Sequence, residues 1–302
     1  MLFDLQINGA LGIGFTSDTL TTDAVRIVAA ELARHSITGF APTVITAAPT
    51  TIINSFRALA RACEDDVNYH RTMPVFHLEG PWISPDDGPR GAHPREYVSN
   101  PDWEQFLRYQ DAAGGRIRLV TLAPERPGAI AMIGKLCAAG IVVALGHTAA
   151  SPATIRDAIG AGATLSTHLG NGSHALMPRH DNHLWEQMAA DGLCASVIAD
   201  GHHLPDALLK TIVRAKGVGR IILTSDTSPL AGLPLGRYHH WGADLDVEAS
   251  GRIGVAGTPY LAGSGVFLDA CVTHMVEAVG VSRADAMAMA SEHPRRLLGL
   301  LP

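Results

Sequence analysis

Phe76-His77-Leu78-Glu79-Gly80-Pro81 sets a carboxylate at the end of an apolar run. Residues 73–78 read as a short buried strand. In a parallel sheet or barrel, a polar side chain just past such a strand lies at the mouth where sites are built. Three later apolar runs end alike: 141–146 leads into His147, 163–167 into His168, and 220–225 into Asp226. One carboxylate, two imidazoles and a second carboxylate therefore converge on one rim.

Four further strands are predicted over 2–7, 37–41, 117–122 and 194–199, the second stopped by Pro42. Helical segments or long loops separate them. Helices are expected over 22–35, 49–64, 102–111, 127–139, from Ser151-Pro152 onward, over 184–190 and over 205–216, with Ser151 as N-cap before a proline at the first helical position. A β-hairpin excursion follows over 236–257, then helices over 261–279 and 283–291. The Gly/Pro-rich loop 81–101 is long enough to cover a site. Eight βα units favour a (β/α)8 TIM-type barrel, a single domain over 1–302. No Gly-x-Gly-x-x-Gly with a downstream acidic partner follows the first strand, so a dinucleotide site has no support.

Bulk properties narrow the classes. The chain has 302 residues, 47% of them hydrophobic and 17% charged, with 31 glycines, which suits an α/β protein buried on both faces of its sheet. A net charge of −6 leaves no basic footprint for nucleic acid or an anionic membrane. Cys63, Cys137, Cys194 and Cys271 form no Cys-x-x-Cys pair, and they read as small hydrophobes in a reducing compartment. There is no basic leader and no apolar span of about 20 residues, so a cytoplasmic protein is expected.

Catalytic zinc takes three protein ligands from His and carboxylate and keeps a position for water, whose pKa falls to about 7. Glu79, His147 and His168 have the right types. A carboxylate near that water can act as general base and hand the proton on to a leaving amine, and Asp226, at the end of the eighth strand, is the candidate. A lone histidine among 15 is more often a surface or capping residue than a ligand; three groups that each end an apolar run carry more weight. His77 points to the same strand face as Glu79 but deeper, and reads as a core histidine rather than a ligand. His93 and His203 fall on rim loops, where substrate contact and plain exposure are both open, and His202 is the weaker member of its pair.

His77-Leu78-Glu79-Gly80-Pro81, Gly91-Ala92-His93, Gly146-His147-Thr148, Thr167-His168-Leu169-Gly170-Asn171, Ala199-Asp200-Gly201-His202-His203, Thr224-Ser225-Asp226 and Leu261-Ala262-Gly263-Ser264 together resemble the ordered motifs of the N-acetylglucosamine-6-phosphate deacetylase family, in the amidohydrolase superfamily. The resemblance runs from Asp4 to about Leu300. It implies a hydrolase that removes an N-acetyl group from an amino sugar, with a metal-bound water as nucleophile and Asp226 as base and acid. The metal would be held by Glu79, His147 and His168. His203 would polarise the carbonyl or touch the sugar, while His93, Asn171, Gly172 and Leu261 would lie against the substrate. Gln6-Ile7-Asn8 matches members with Gln-x-Asn rather than His-x-His after the first strand, which implies one divalent ion. Zinc is expected, with iron or another divalent ion as alternatives. A homodimer is implied as well.

Two departures from the family pattern shape the expectations. The small β-sandwich that members build from residues flanking the barrel is expected to be largely or wholly missing. The Arg-Glu-Pro-Gly run after the sixth strand, whose arginine helps bind the sugar phosphate, is replaced by Leu176-Met177-Pro178-Arg179-His180-Asp181-Asn182-His183-Leu184. The substrate is therefore expected not to require a 6-phosphate. Alternative readings are hydrolysis of another amide, such as an N-acyl amino acid or a cyclic imide, and a carbohydrate-binding barrel without catalysis.

Overall fold

Eight parallel strands run in chain order, each hydrogen-bonded to the next: β1 (Leu2–Ile7), β2 (Ile37–Ile45), β3 (Phe76–Glu79), β4 (Ile117–Leu122), β5 (Val142–Leu145), β6 (Leu165–Ser166), β7 (Cys194–Ile198) and β8 (Ile221–Thr224). With the helices between them they make a (β/α)8 TIM-type barrel, as the sequence predicts. These coordinates form a computed structural model that describes residues 1–258 and 260–301.

The helices follow from their apolar spacing. Thr22–Arg34 is capped by the Thr21 hydroxyl, which accepts from the Ala24 amide, and it buries Val25, Val28, Ala29 and Leu32, one stripe at helical period. Pro49–Asp65 starts on proline and buries Ile52, Phe56, Leu59 and Cys63 in the same rhythm. These faces pack on the outside of the strands. A separate buried cluster joins Phe3, Ala41, Leu119, Ala144, Leu165 and Ile222 with Leu298. Side chains from six different strands can meet only inside the barrel, so this cluster fills it. Each leucine, isoleucine or phenylalanine of it contributes about 1.5–3 kcal/mol through burial.

The barrel closes where β8 meets β1, and there the backbone ladder is sparse. Asp226 N donates to Gln6 O at 3.1 Å and Asn8 N to Thr227 O at 3.1 Å. Asp4, fully buried, spans the rest of the seam: its carboxylate accepts from the hydroxyls of Thr224 (2.6 Å) and Ser225 (2.5 Å) and from the backbone amides of Gln6 and Ser225. Replacing Asp4 with alanine leaves two buried hydroxyls unpaired at roughly 1–3 kcal/mol each, so Asp4→Ala is expected to lower the unfolding free energy by roughly 2–4 kcal/mol in urea titration. A change below about 0.5 kcal/mol would show that the seam does not depend on this carboxylate.

Three elements differ from expectation. Strand β2 runs straight through Pro42 to Ile45. Its pairing with β1 is irregular between Asp4 and Ile7, so the missing proline N–H costs no regular ladder bond. The hairpin expected over 236–257 is a larger meander of β9 (Gly236–His240), β10 (Ala243–Val247), β11 (Arg252–Val255) and β12 (Leu261–Ser264), antiparallel throughout and built on Leu230, Leu245, Ile253 and Ala262. Strand β12 takes the start of the helix expected from 261. That helix begins instead at Leu268 and continues from Met275 to Val279 as a π-turn. Among the described residues, no helix is long and apolar enough to cross a membrane.

Candidate active site

At the carboxyl ends of the strands lies a cavity of about 690 Å³. All nine residues singled out in the sequence line it: Glu79, His93, His147, His168, Asn171, Gly172, His203, Asp226 and Leu261. Glu79 is the last residue of β3 rather than the one after it, and its side chain is buried. His147, His168 and Asp226 each follow a strand with φ of 51°, 30° and 52° respectively. This left-handed region is costly for residues other than glycine and clusters where surrounding structure enforces a functional geometry. For His168, the amide is pinned by the Ser196 hydroxyl at 2.7 Å.

The two histidines and the glutamate meet closely. His147 Nε2 stands 3.3 Å and His168 Nε2 3.1 Å from Glu79 Oε1, and the two Nε2 atoms are 3.1 Å apart. His147 Nδ1 is 2.8 Å from the Pro89 carbonyl, which can only accept. Nδ1 therefore carries the proton, and the neutral ring aims the Nε2 lone pair at the carboxylate and the second imidazole. Three buried electron-pair donors facing one another are disfavoured unless positive charge sits among them. The titration behaviour points the same way. Burial alone would lift Glu79, but hydrogen bonds and charge from His147 and His168 outweigh it and hold the carboxyl well below its ordinary range. Burial alone would lower His147, yet Glu79 pushes it up. This donor set fits one divalent cation. Gly172 closes in behind it: φ is 55°, and a Cβ there would stand 3.0 Å from His147 Nδ1.

Asp226 stands half-buried beside this cluster. Burial, then the negative Glu79, pushes its carboxyl up to about 6, and Asn8 Nδ2 donates to its Oδ1 at 2.7 Å. The Gln6 amide in turn donates to Glu79 Oε1 at 2.9 Å. His203 is held by Asp200: Nδ1 lies 2.7 Å from Asp200 Oδ2, which also accepts from Ser264 Oγ at 2.8 Å. Asp200 Oδ1 accepts from the backbone amides of His202 and His203. Burial would raise Asp200, but His203 outweighs it and holds the carboxyl below its ordinary range.

His93 packs edge-on against His147, with ring centroids 4.4 Å apart, and bonds Thr46 Oγ1 through Nδ1 at 2.8 Å. Burial, then the nearby His147, lowers it to about 3, so it is neutral. His77 lies below the cluster and bonds Thr121 Oγ1 at 2.8 Å, a core position. Loop 81–101 does cover the site: Asp87 to His93 contribute six of its lining residues, besides the Pro89 carbonyl. The roles of Asp200, Ser264 and Asn8 toward Asp226 and His203 were not foreseen. Asp200 does end the run that becomes β7, which is the same signal that marked Glu79.

Comparison with known proteins places this geometry among relatives. Residues 2–301 match the amidohydrolase family. Human N-acetylglucosamine-6-phosphate deacetylase is 35% identical over 98% of this chain and 73% of its own length. N-acetylgalactosamine-6-phosphate deacetylase of Escherichia coli O157:H7 is 33% identical over 98% of this chain and 77% of its own. The structure of a Mycobacterium smegmatis N-acetyl-D-glucosamine-6-phosphate deacetylase mutant, in complex with N-acetyl-D-glucosamine-6-phosphate, superposes with a TM-score of 0.88 at 32% identity, covering 99% of this chain and 77% of that one.

Proposed function

The chain belongs to the amidohydrolase family and is a hydrolase of carbon–nitrogen bonds other than peptide bonds; we propose that the bond it cuts is the N-acetyl amide of an amino sugar. The observation that carries this reading is the convergence of Glu79, His147, His168, Asp226 and His203 on one cavity.

Glu79, His147 and His168 would hold a single divalent ion, zinc being the ion that this carboxylate and two imidazoles suit best. When bound, it supplies a Lewis acid that polarises the amide carbonyl and acidifies water. The Gln6 side-chain amide, which donates to Glu79 Oε1, brings no imidazole to the cluster, and the single three-donor group among the described residues favours one ion over two.

Asp226 takes a proton from the attacking water as the new C–O bond forms at the acetyl carbon. It returns that proton to the nitrogen as the C–N bond breaks, releasing acetate and the free amino sugar. Its raised pKa suits both halves of this exchange, and Asn8 keeps the carboxylate from turning away. His203 Nδ1–H donates to Asp200, so Nε2 can donate to the developing oxyanion only in the protonated ring, the form that the Asp200 carboxylate stabilises. Asn171, Gly172, His93 and Leu261 contact the sugar.

Asp200 acts here through His203, as a positioning residue. Asp200→Asn is expected to lower kcat by about 10- to 100-fold with KM little changed, and Ser264→Ala to act in the same direction but less. A rise in KM with unchanged kcat would mean that Asp200 shapes sugar binding and not the oxyanion site. The reading as a whole is tested by incubating the zinc-loaded chain with N-acetylglucosamine, N-acetylgalactosamine and their 6-phosphates and measuring free amine. Release from at least one is expected; release from none, with turnover of an N-acyl amino acid instead, would overturn it.

A further inference from the structure

Seven of the eight barrel strands, or the loops that follow them, put a residue into the cavity wall; among the described residues β4 and its loop put none. The run that forms β4 still has a carboxylate just beyond it, Glu125. This side chain turns toward the loop after β5. Its Oε2 accepts from Thr148 Oγ1 at 2.5 Å and its Oε1 from the Ala149 amide at 2.7 Å, and Thr148 Oγ1 accepts in turn from the Ala150 amide at 3.0 Å. Both carboxylate oxygens are therefore engaged by the two residues that follow His147.

His147 needs such a brace. With φ at 51° it holds a backbone conformation that a residue with a Cβ leaves unless its neighbours enforce it. On the upstream side Gly146 N donates to Leu122 O at 3.2 Å, and the His147 carbonyl accepts from the Ser84 amide at 2.9 Å. On the downstream side the chain is held by Glu125, through bonds that its charge makes shorter and stronger than neutral ones. His168, also at positive φ, has a counterpart in Ser196 of the adjacent strand β7, whose hydroxyl accepts from the His168 amide. The Pro89 carbonyl orients the His147 ring, whereas Glu125 fixes the backbone that carries it. Glu125 lies outside the cavity lining, so its influence on the site runs through His147.

We propose that Glu125 is a positioning residue for His147: by clamping Thr148 and Ala149 it fixes the direction in which the His147 Nε2 lone pair meets Glu79 and His168, and so sets the affinity of this three-donor site for a divalent ion. Without the clamp the strained peptide relaxes and the imidazole leaves the common point, while Glu79 and His168 stay in place. The inference rests on the metal-site reading above and is independent of which amide is cut.

The test measures the zinc Kd by competition with a chromophoric chelator, together with the Tm of the metal-free chain. Glu125→Ala is expected to raise Kd about 10- to 100-fold, the usual effect of removing a partner that orients a metal ligand. Glu125→Gln keeps one acceptor oxygen but loses the charge, and should raise it about tenfold. Thr148→Val breaks only the hydroxyl arm and should weaken binding in the same direction, whereas Thr148→Ser keeps that arm and should bind zinc like the wild type. The visible spectrum of the cobalt(II)-loaded chain should shift in Glu125→Ala, because one donor has moved. Zinc binding within about threefold of wild type in both Glu125→Ala and Thr148→Val would overturn the inference, and a lowered metal-free Tm alongside it would assign the clamp to the fold alone. If Glu125→Ala does not fold, Glu125→Gln and Thr148→Val decide by the same criterion. Failure of the wild-type chain to bind zinc would overturn the metal-site reading, and this inference with it.

Discussion

Asp226→Asn is expected to lower kcat by roughly 10²- to 10⁴-fold while leaving metal content unchanged. The substitution is nearly isosteric, and the amide still meets the Asn8 side chain, so the fold and the three-donor cluster next to it persist. What disappears is the proton acceptor. A neutral amide can neither take the proton from water nor return it to the leaving nitrogen, so both halves of the transfer fail together. The wild-type pH profile follows from the same group. The base must be ionised, and protonation silences it, so kcat/KM falls on the acid side. Burial and Glu79 place that limb near 6 without a cation, and a bound divalent ion draws it lower. An acid limb that persisted unchanged in Asp226→Asn would assign it to another group.

Glu79→Gln is expected to cost the metal itself. Glu79 Oε1 is the atom on which both Nε2 atoms and the Gln6 amide converge, and its charge is what pushes His147 up. Removing that charge leaves two neutral imidazoles and an amide oxygen, a much weaker site for a divalent ion. The variant should lose its metal on dialysis, measured by elemental analysis, and its activity with it. Protons compete for the same donors in the wild-type chain. Its metal affinity should therefore weaken as pH falls, because positive charge on His147 displaces the ion. Metal also binds the folded chain selectively, so chelation should lower Tm. An ion present at 100 times its Kd contributes about 2.7 kcal/mol. Full metal and full activity in Glu79→Gln would remove this residue from the ligand set.

Much of this was legible because barrel geometry and sequence pattern coincide. Glu79, His147, His168 and Asp226 each end an apolar run, and in a parallel barrel every strand end reaches the same rim, so convergence follows from the period of the chain. What stayed hidden depends on pairings across long separations. Asn8 reaches Asp226 over 218 residues, and Ser264 reaches Asp200 over 64; neither has a local signature. Asp4 looks like any polar residue in a strand, yet it bridges β1 to β8. Pro42 reads as a strand end because local rules exclude proline from regular ladders, whereas the irregular β1–β2 register tolerates it. Residues 261–264 have no strand-like pattern of their own; the edge of the meander pulls them into a strand, and Leu261 reaches the cavity from there.

The most direct measurement is the stoichiometry of products from the zinc-loaded chain acting on the N-acetyl amino sugar it turns over. Equal amounts of acetate and free amine should accumulate over many turnovers with the wild-type chain, and neither with Asp226→Asn at the same metal content. Acetate and amine released at equal rates by wild type and Asp226→Asn, or by the metal-stripped chain, would contradict the account.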